Sequence, residues 1–141
     1  MPSTTELYTI GFQNRDLDEV LATLWQHRVT RVIDVRDLPQ SSHKGFSKNP
    51  LGGALRSSGI EYMHMREAGN PFRHLAVSCA AVLKHYSDHL GRRLEIVDHA
   101  AQAVRGERAA LLCFERDSAR CHRSVLASRL AGWLGVTAVN L

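Results

Sequence analysis

At 141 residues, 44% hydrophobic and 23% charged, the chain has the size and composition of one soluble globular domain, not of a disordered or fibrous protein. No apolar run nears the ~20 residues of a transmembrane helix, and Met1 to Leu7 lacks the basic start and apolar core of a secretory signal, so a cytoplasmic location is expected. Eighteen Lys and Arg against fourteen Asp and Glu leave a formal charge of +4, but the basic residues are scattered rather than gathered on one nucleic-acid-binding face.

Leu7 to Ile10 is a β-rich run that stops at Gly11. Asp16 then precedes Leu17, Val20, Leu21 and Leu24, whose i, i+3, i+4, i+7 spacing predicts a helix to about His27 with Asp16 as its cap. Val32 to Val35 is the second strand. The polar stretch from Arg36 to Asn49 is too long for a simple connector, and loops of that length tend to be functional. Pro50 to Ser58 is a short helix ended by Gly59, Ile60 to Met65 a third strand, and Arg66 to His74 another polar loop. Leu75 to about Val104 is mostly helical with an interruption near Gly91. Ala109 to Cys113 is the fourth strand, Arg120 to Trp133 the last helix, and Val136 to Leu141 the fifth strand.

Strands alternating with helices predict a single α/β domain: three layers, Rossmann-like, with about five mostly parallel strands flanked by helices. The order expected is 3-2-1-4-5. Ligands of such sheets bind beyond the strands' carboxyl ends, where the strand order switches direction. That rule selects Gly11 to Arg15, Asp34 to Lys44, His64 to Asn70 and Cys113 to Arg123.

The segment from Cys113 to Arg123 carries most chemistry. A helix starting near Cys121 offers unpaired N–H groups to an anion, with His122 and Arg123 as further donors. The same position can lower the pKa of Cys121 and make it a nucleophile. Glu115, at the tip of the fourth strand, suits a general acid or base. Asp34 and Arg36 alternate at a strand end and so point to one side; Asp34 can orient Arg36 or do acid/base work, and Arg36 can grip a phosphate or carboxylate. Gly11 and Asn14 form a tight strand-to-helix turn beside the ligand, without a dinucleotide or Walker fingerprint. His43, His64 and His74 lie in or beside the loops as substrate contacts, while Cys79, Trp25 and Trp133 are assigned to packing. Three cysteines are an odd count, and structural disulfides are not expected. Cys113, Cys121 and His122 can converge like an open zinc site, but the Cys-x-x-Cys spacing is missing and no metal site is assigned.

Tyr8-Thr9-Ile10-Gly11 with Asn14, Val32-Ile33-Asp34-Val35-Arg36 with Pro39, Cys113-Phe114-Glu115 and Cys121-His122-Arg123 together resemble the family called domain of unknown function 488. Familiar members carry Ser or His where this chain has Phe12 and Gln13, and a Gly pair near Ala68-Gly69-Asn70. The resemblance implies a Rossmann-like fold and supplies no reaction. Three functions stay open: an enzyme using Glu115 and Asp34 on a nucleotide-like or nucleic-acid-derived substrate held by Arg36, His122 and Arg123; a thiol enzyme using Cys121; and a non-catalytic binding module. The partner implied is an anionic small molecule or nucleotide-like ligand, with nucleic acid as an alternative and no membrane. The sequence assigns neither cofactor nor oligomeric state.

Overall fold

A computed structural model describes residues 4–141; of the stretch examined for an export signal, Met1 to Ser3 lie outside it. Five parallel strands form one sheet: β1 (Glu6–Gly11), β2 (Arg31–Asp34), β3 (Glu61–His64), β4 (Arg108–Cys113) and β5 (Ala138–Asn140). The helices are α1 (Leu17–Gln26), α2 (Lys48–Ser57), α3 (Cys79–Arg92), α4 (Leu94–Val104) and α5 (His122–Leu134), with 3₁₀ turns at Arg66–Ala68 and Ser118–Arg120. No helix among the described residues is long and apolar enough to cross a membrane.

Alternate residues of β4 feed opposite layers, as the two-residue period of a strand requires. Ala109, Leu111 and Cys113 pack with α3, α4 and α5, while Ala110 and Leu112 pack with Val20 and Leu24 of α1 and Leu51 and Leu55 of α2. A strand buried on both faces needs a continuous apolar run, which Ala109-Ala110-Leu111-Leu112-Cys113 provides. This makes the three-layer α/β architecture expected from the sequence.

The strand order is β3-β2-β4-β1-β5, which corrects the expected 3-2-1-4-5. β4 enters between β2 and β1, with Ala110 beside both Tyr8 and Val32. The apolar run of β4 demanded an interior position but did not say which neighbours it would take. Helices α1 and α2, which follow β1 and β2, cover one face, and α3 to α5 cover the other. The change of direction therefore falls at the carboxyl ends of β1, β4 and β2.

Local signals place the helix ends. The Asp16 carboxylate accepts from the Glu19 backbone N–H at 2.8 Å and starts α1. Ser78 does the same for Ala81 at 3.1 Å, so α3 begins at Cys79 rather than near Leu75. Gly135, at φ 68°, closes α5 in the left-handed region that a residue without Cβ tolerates.

Candidate functional site

A cavity of about 510 Å³ opens at the carboxyl ends of the strands where the order switches. The loop after β1 contributes Phe12, the loop after β2 Arg36 to Leu38, and the loop after β3 Asn70 and Arg73. From the end of β4 onward come Cys113, Phe114, Glu115, Arg120, Cys121 and His122. The start of α3 and the segment before it supply Leu75, Val77 and Cys79. Those residues line the cavity because Ser78 delays the helix. Leu38, Leu75, Val77 and Phe114 are each 42–51% exposed, giving the mouth an apolar rim.

Arg36 is the dominant polar group. Its Nε and Nη2 donate to the two Asp34 carboxylate oxygens at 2.9 and 2.7 Å, and its backbone N–H adds a third bond at 3.2 Å. The Tyr62 hydroxyl donates to Asp34 Oδ2 at 2.6 Å. Burial opposes the Arg36 charge, but the Asp34 hydrogen bonds and charge outweigh it and the guanidinium is held more firmly protonated than usual. Burial and the Asp34 carboxylate raise the Tyr62 pKa, keeping it a donor. Asp34 is fully buried and does not line the cavity. It stands behind the wall rather than at the acid/base place expected of it, with three of its four accepted bonds from Arg36 and the fourth from Tyr62. Arg36 Nη1 is buried without a partner among the described residues, and the Phe12 ring centroid lies 5.3 Å from the guanidinium carbon.

His122, Cys113 and Cys121 share the buried inner part of the cavity. His122 Nε2 donates to the Val35 carbonyl at 2.7 Å, which leaves the Nδ1 lone pair facing the sulfurs at 3.9 Å (Cys113) and 3.8 Å (Cys121). The Tyr86 ring meets the imidazole edge-on at 5.0 Å. The neighbouring Cys121 thiol holds Cys113 below the ordinary thiol value; Cys113 in turn, with burial, pushes Cys121 up. At the start of α5, Cys121 is thus pushed away from the thiolate form expected for it from the sequence.

Glu115 lines the cavity half-buried and forms no ion pair with Arg116, Arg120 or Arg123 among the described residues. Asp37, the other carboxylate on the wall, lies 3.6 Å from Arg73 and 4.0 Å from Arg66. Arg123, expected among the anion donors, is 1% exposed and donates from Nη1 to the Glu115 carbonyl and from Nη2 to the Arg116 carbonyl at 3.2 Å. It braces the loop from behind.

Gly11 and Asn14 do not line the cavity. Gly11 is required because a Cβ there would stand 1.8 Å from the Glu115 carbonyl oxygen. Asn14, exposed at φ 59°, makes the turn into α1. The loop histidines are likewise placed elsewhere: His43 on the Arg15 carbonyl, His64 on the Arg36 carbonyl at 2.8 Å, and His74 beside Arg73. Cys79, assigned to the core, is half-buried on the cavity wall, and Trp25 and Trp133 are 74% and 45% exposed. Tyr62 escaped the sequence analysis because only the β2–β3 register, Val32 beside Tyr62, brings it to Asp34.

The family model for the domain of unknown function DUF488 matches residues 16–130. Asp34, Arg36, Cys113, Glu115, Cys121, His122 and Arg123 fall inside that span, whereas Gly11 and Asn14 precede it. No curated protein and no solved structure matches the chain.

Proposed function

The chain belongs to the DUF488 family, and on that premise we propose that its cleft binds an anionic, nucleotide-like small molecule through Arg36, with Glu115 as the acid/base group of an enzyme. One observation carries the proposal: Arg36, a residue of the cavity wall, is 5% exposed and clamped by Asp34, and its Nη1, closed off from solvent, has no hydrogen-bond partner among the described residues. A buried donor left unpaired costs about 1–3 kcal/mol, a cost that a ligand oxygen removes. The wall is not strongly positive. Arg36, Arg73 and Arg120 stand near Asp34, Asp37 and Glu115, so selectivity for an anion comes from a directed guanidinium N–H rather than from the net field.

The apolar rim of Leu38, Leu75, Val77 and Phe114 suits a ligand with a flat or apolar body beside its charged end. Phe12 and Phe114, edge-to-face at 5.5 Å, offer such a body an aromatic wall. Among the wall carboxylates Glu115 is the one without an ion pair, which favours proton transfer over scaffolding. His122 supports the site from the inner wall.

Calorimetric titration with inorganic phosphate and nucleoside monophosphates tests the proposal. Arg36→Lys keeps a cation beside Asp34 but removes Nη1, and affinity should fall about 10–100-fold, the scale of one charge-assisted hydrogen bond. Glu115→Gln should retain binding and thermal stability, and lower turnover of a bound substrate about 100-fold or more. Equal affinity of wild type and Arg36→Lys would refute the anion site, undiminished turnover in Glu115→Gln would remove Glu115 from the acid/base role, and binding without any turnover in wild type would leave a binding module.

A further inference from the structure

Cys113 ends β4, and Cys121 and His122 begin α5, so a strand end and a helix start bring two sulfurs and one imidazole nitrogen together. All three residues are buried, both cysteines are free, and the three ligand atoms lie within 4.8 Å of one another. A tetrahedral ion with bonds of about 2.3 Å to sulfur and about 2.0–2.1 Å to nitrogen sets its sulfur and nitrogen ligands about 3.6 Å apart. The two sulfur–nitrogen separations here, 3.9 and 3.8 Å, exceed that by about 0.2–0.3 Å. The two sulfurs, within 4.8 Å of each other, must come to about 3.8 Å for two bonds of about 2.3 Å, a move that side-chain rotation supplies.

The surroundings suit metal ligation as well as the distances do. Metal-binding histidines usually donate their second nitrogen to a carbonyl or carboxylate, which fixes the tautomer. His122 Nε2 donates to Val35, and the lone pair on Nδ1 is the one that faces the sulfurs. Tyr86, its hydroxyl bonded to the Ala68 carbonyl at 2.7 Å, limits rotation of the ring. The residues that line the cavity include all three ligands, so an ion has an entry path and a fourth position open toward a ligand.

We propose that Cys113, Cys121 and His122 form a three-ligand site for a zinc-class divalent cation, with its fourth position facing the cavity. Two thiolates and a neutral imidazole select this class over magnesium or calcium, which take oxygen ligands. Loading forms two metal–sulfur bonds and one metal–nitrogen bond and releases the two thiol protons to solvent. The product of two thiolates and a divalent ion is neutral, which a buried position tolerates. Three protein ligands with one open position is the arrangement of catalytic rather than structural zinc. A water or an anion oxygen would complete it.

The test is anaerobic titration of the reduced, chelator-treated protein with cobalt(II), followed by zinc(II) competition. Wild type should take up about one cobalt per chain with a thiolate-to-cobalt charge-transfer band that zinc abolishes. Cys113 and Cys121 should become protected from alkylation while Cys79 remains reactive. Cys79→Ser should keep the band; Cys113→Ser and Cys121→Ser should lose it. Should either serine variant fail to fold, the protection measured in wild type decides. Uptake is read without any anion and again in Arg36→Lys, so failure of the anion site and failure of the metal site give separate results. A folded, reduced wild type with no charge-transfer band and no protection overturns the proposal. So does a band that survives in the double serine variant, or a Cys113–Cys121 disulfide that takes up no cobalt after reduction.

Discussion

Asp34→Asn is the most informative single change in the molecule. The substitution preserves shape and removes the negative charge that faces a guanidinium 5% exposed. It also replaces one acceptor oxygen with an amide that must point a donor at Arg36 or at Tyr62. Of the four bonds Asp34 accepts, at 2.6–3.2 Å, at least one becomes donor against donor. Breaking a buried ion pair from one side costs about 3–5 kcal/mol, a large share of the roughly 5–15 kcal/mol that stabilises a domain. With a urea slope of about 1–3 kcal/mol per molar, the unfolding midpoint should fall by at least about 1 M with the slope unchanged. Circular dichroism during urea titration reads both quantities. Adding Arg36→Met should hurt less than the sum of the two single variants by at least about 1 kcal/mol, because the second change removes the stranded charge. A midpoint shift below about 0.3 M, or strictly additive costs, would show that the pair does not hold the site together.

Two glycines should respond in opposite directions to alanine. Gly11→Ala meets the Glu115 carbonyl at 1.8 Å and should cost about 1–3 kcal/mol or more, whereas Gly53→Ala, with nothing within 4 Å, should gain about 0.5–1 kcal/mol in calorimetric melts. Asp16→Ala removes the cap of α1 and should cost about 1 kcal/mol in the same melts; no change would mean that tertiary packing alone fixes the helix start. His89 is held below the ordinary histidine pKa by burial and by the charges of Arg93 and Arg92. The folded chain therefore binds that proton less readily than the unfolded one, and the penalty, absent above about pH 6.5, grows as pH falls through the window between the ordinary and the lowered value. His89→Gln should flatten the fall of the urea midpoint between about pH 7.5 and about pH 5; an unchanged profile refutes it.

The amino-acid order by itself determined the α/β class, all five strands to within a residue or two, and the cap at Asp16. It also placed Arg36, Glu115, Cys121 and His122 at the strand ends that line the cavity. These follow from local causes: apolar periodicity, side-chain capping and the rule that loops after parallel strands gather at one edge. Tertiary structure decided the rest. Whether β4 sits beside β1 alone or between β1 and β2 depends on which edges meet, and β1 and β2 are both buried enough to accept it. That choice put Asp34 next to Leu112 of β4, while the separate β2–β3 register set it under the Tyr62 hydroxyl and its place behind the cavity wall made it the clamp of Arg36. The turn from β4 into α5 set Arg123 behind the Glu115 loop and left Gly11 beneath it. Hydrogen-bond partners at long sequence separation are set by strand register and side-chain direction, and neither is encoded in the spacing of one segment. The convergence of Cys113, Cys121 and His122 has the same origin: seven residues, three of them a 3₁₀ turn, separate the two cysteines in sequence, and only the turn from β4 into α5 fixes their distance in space.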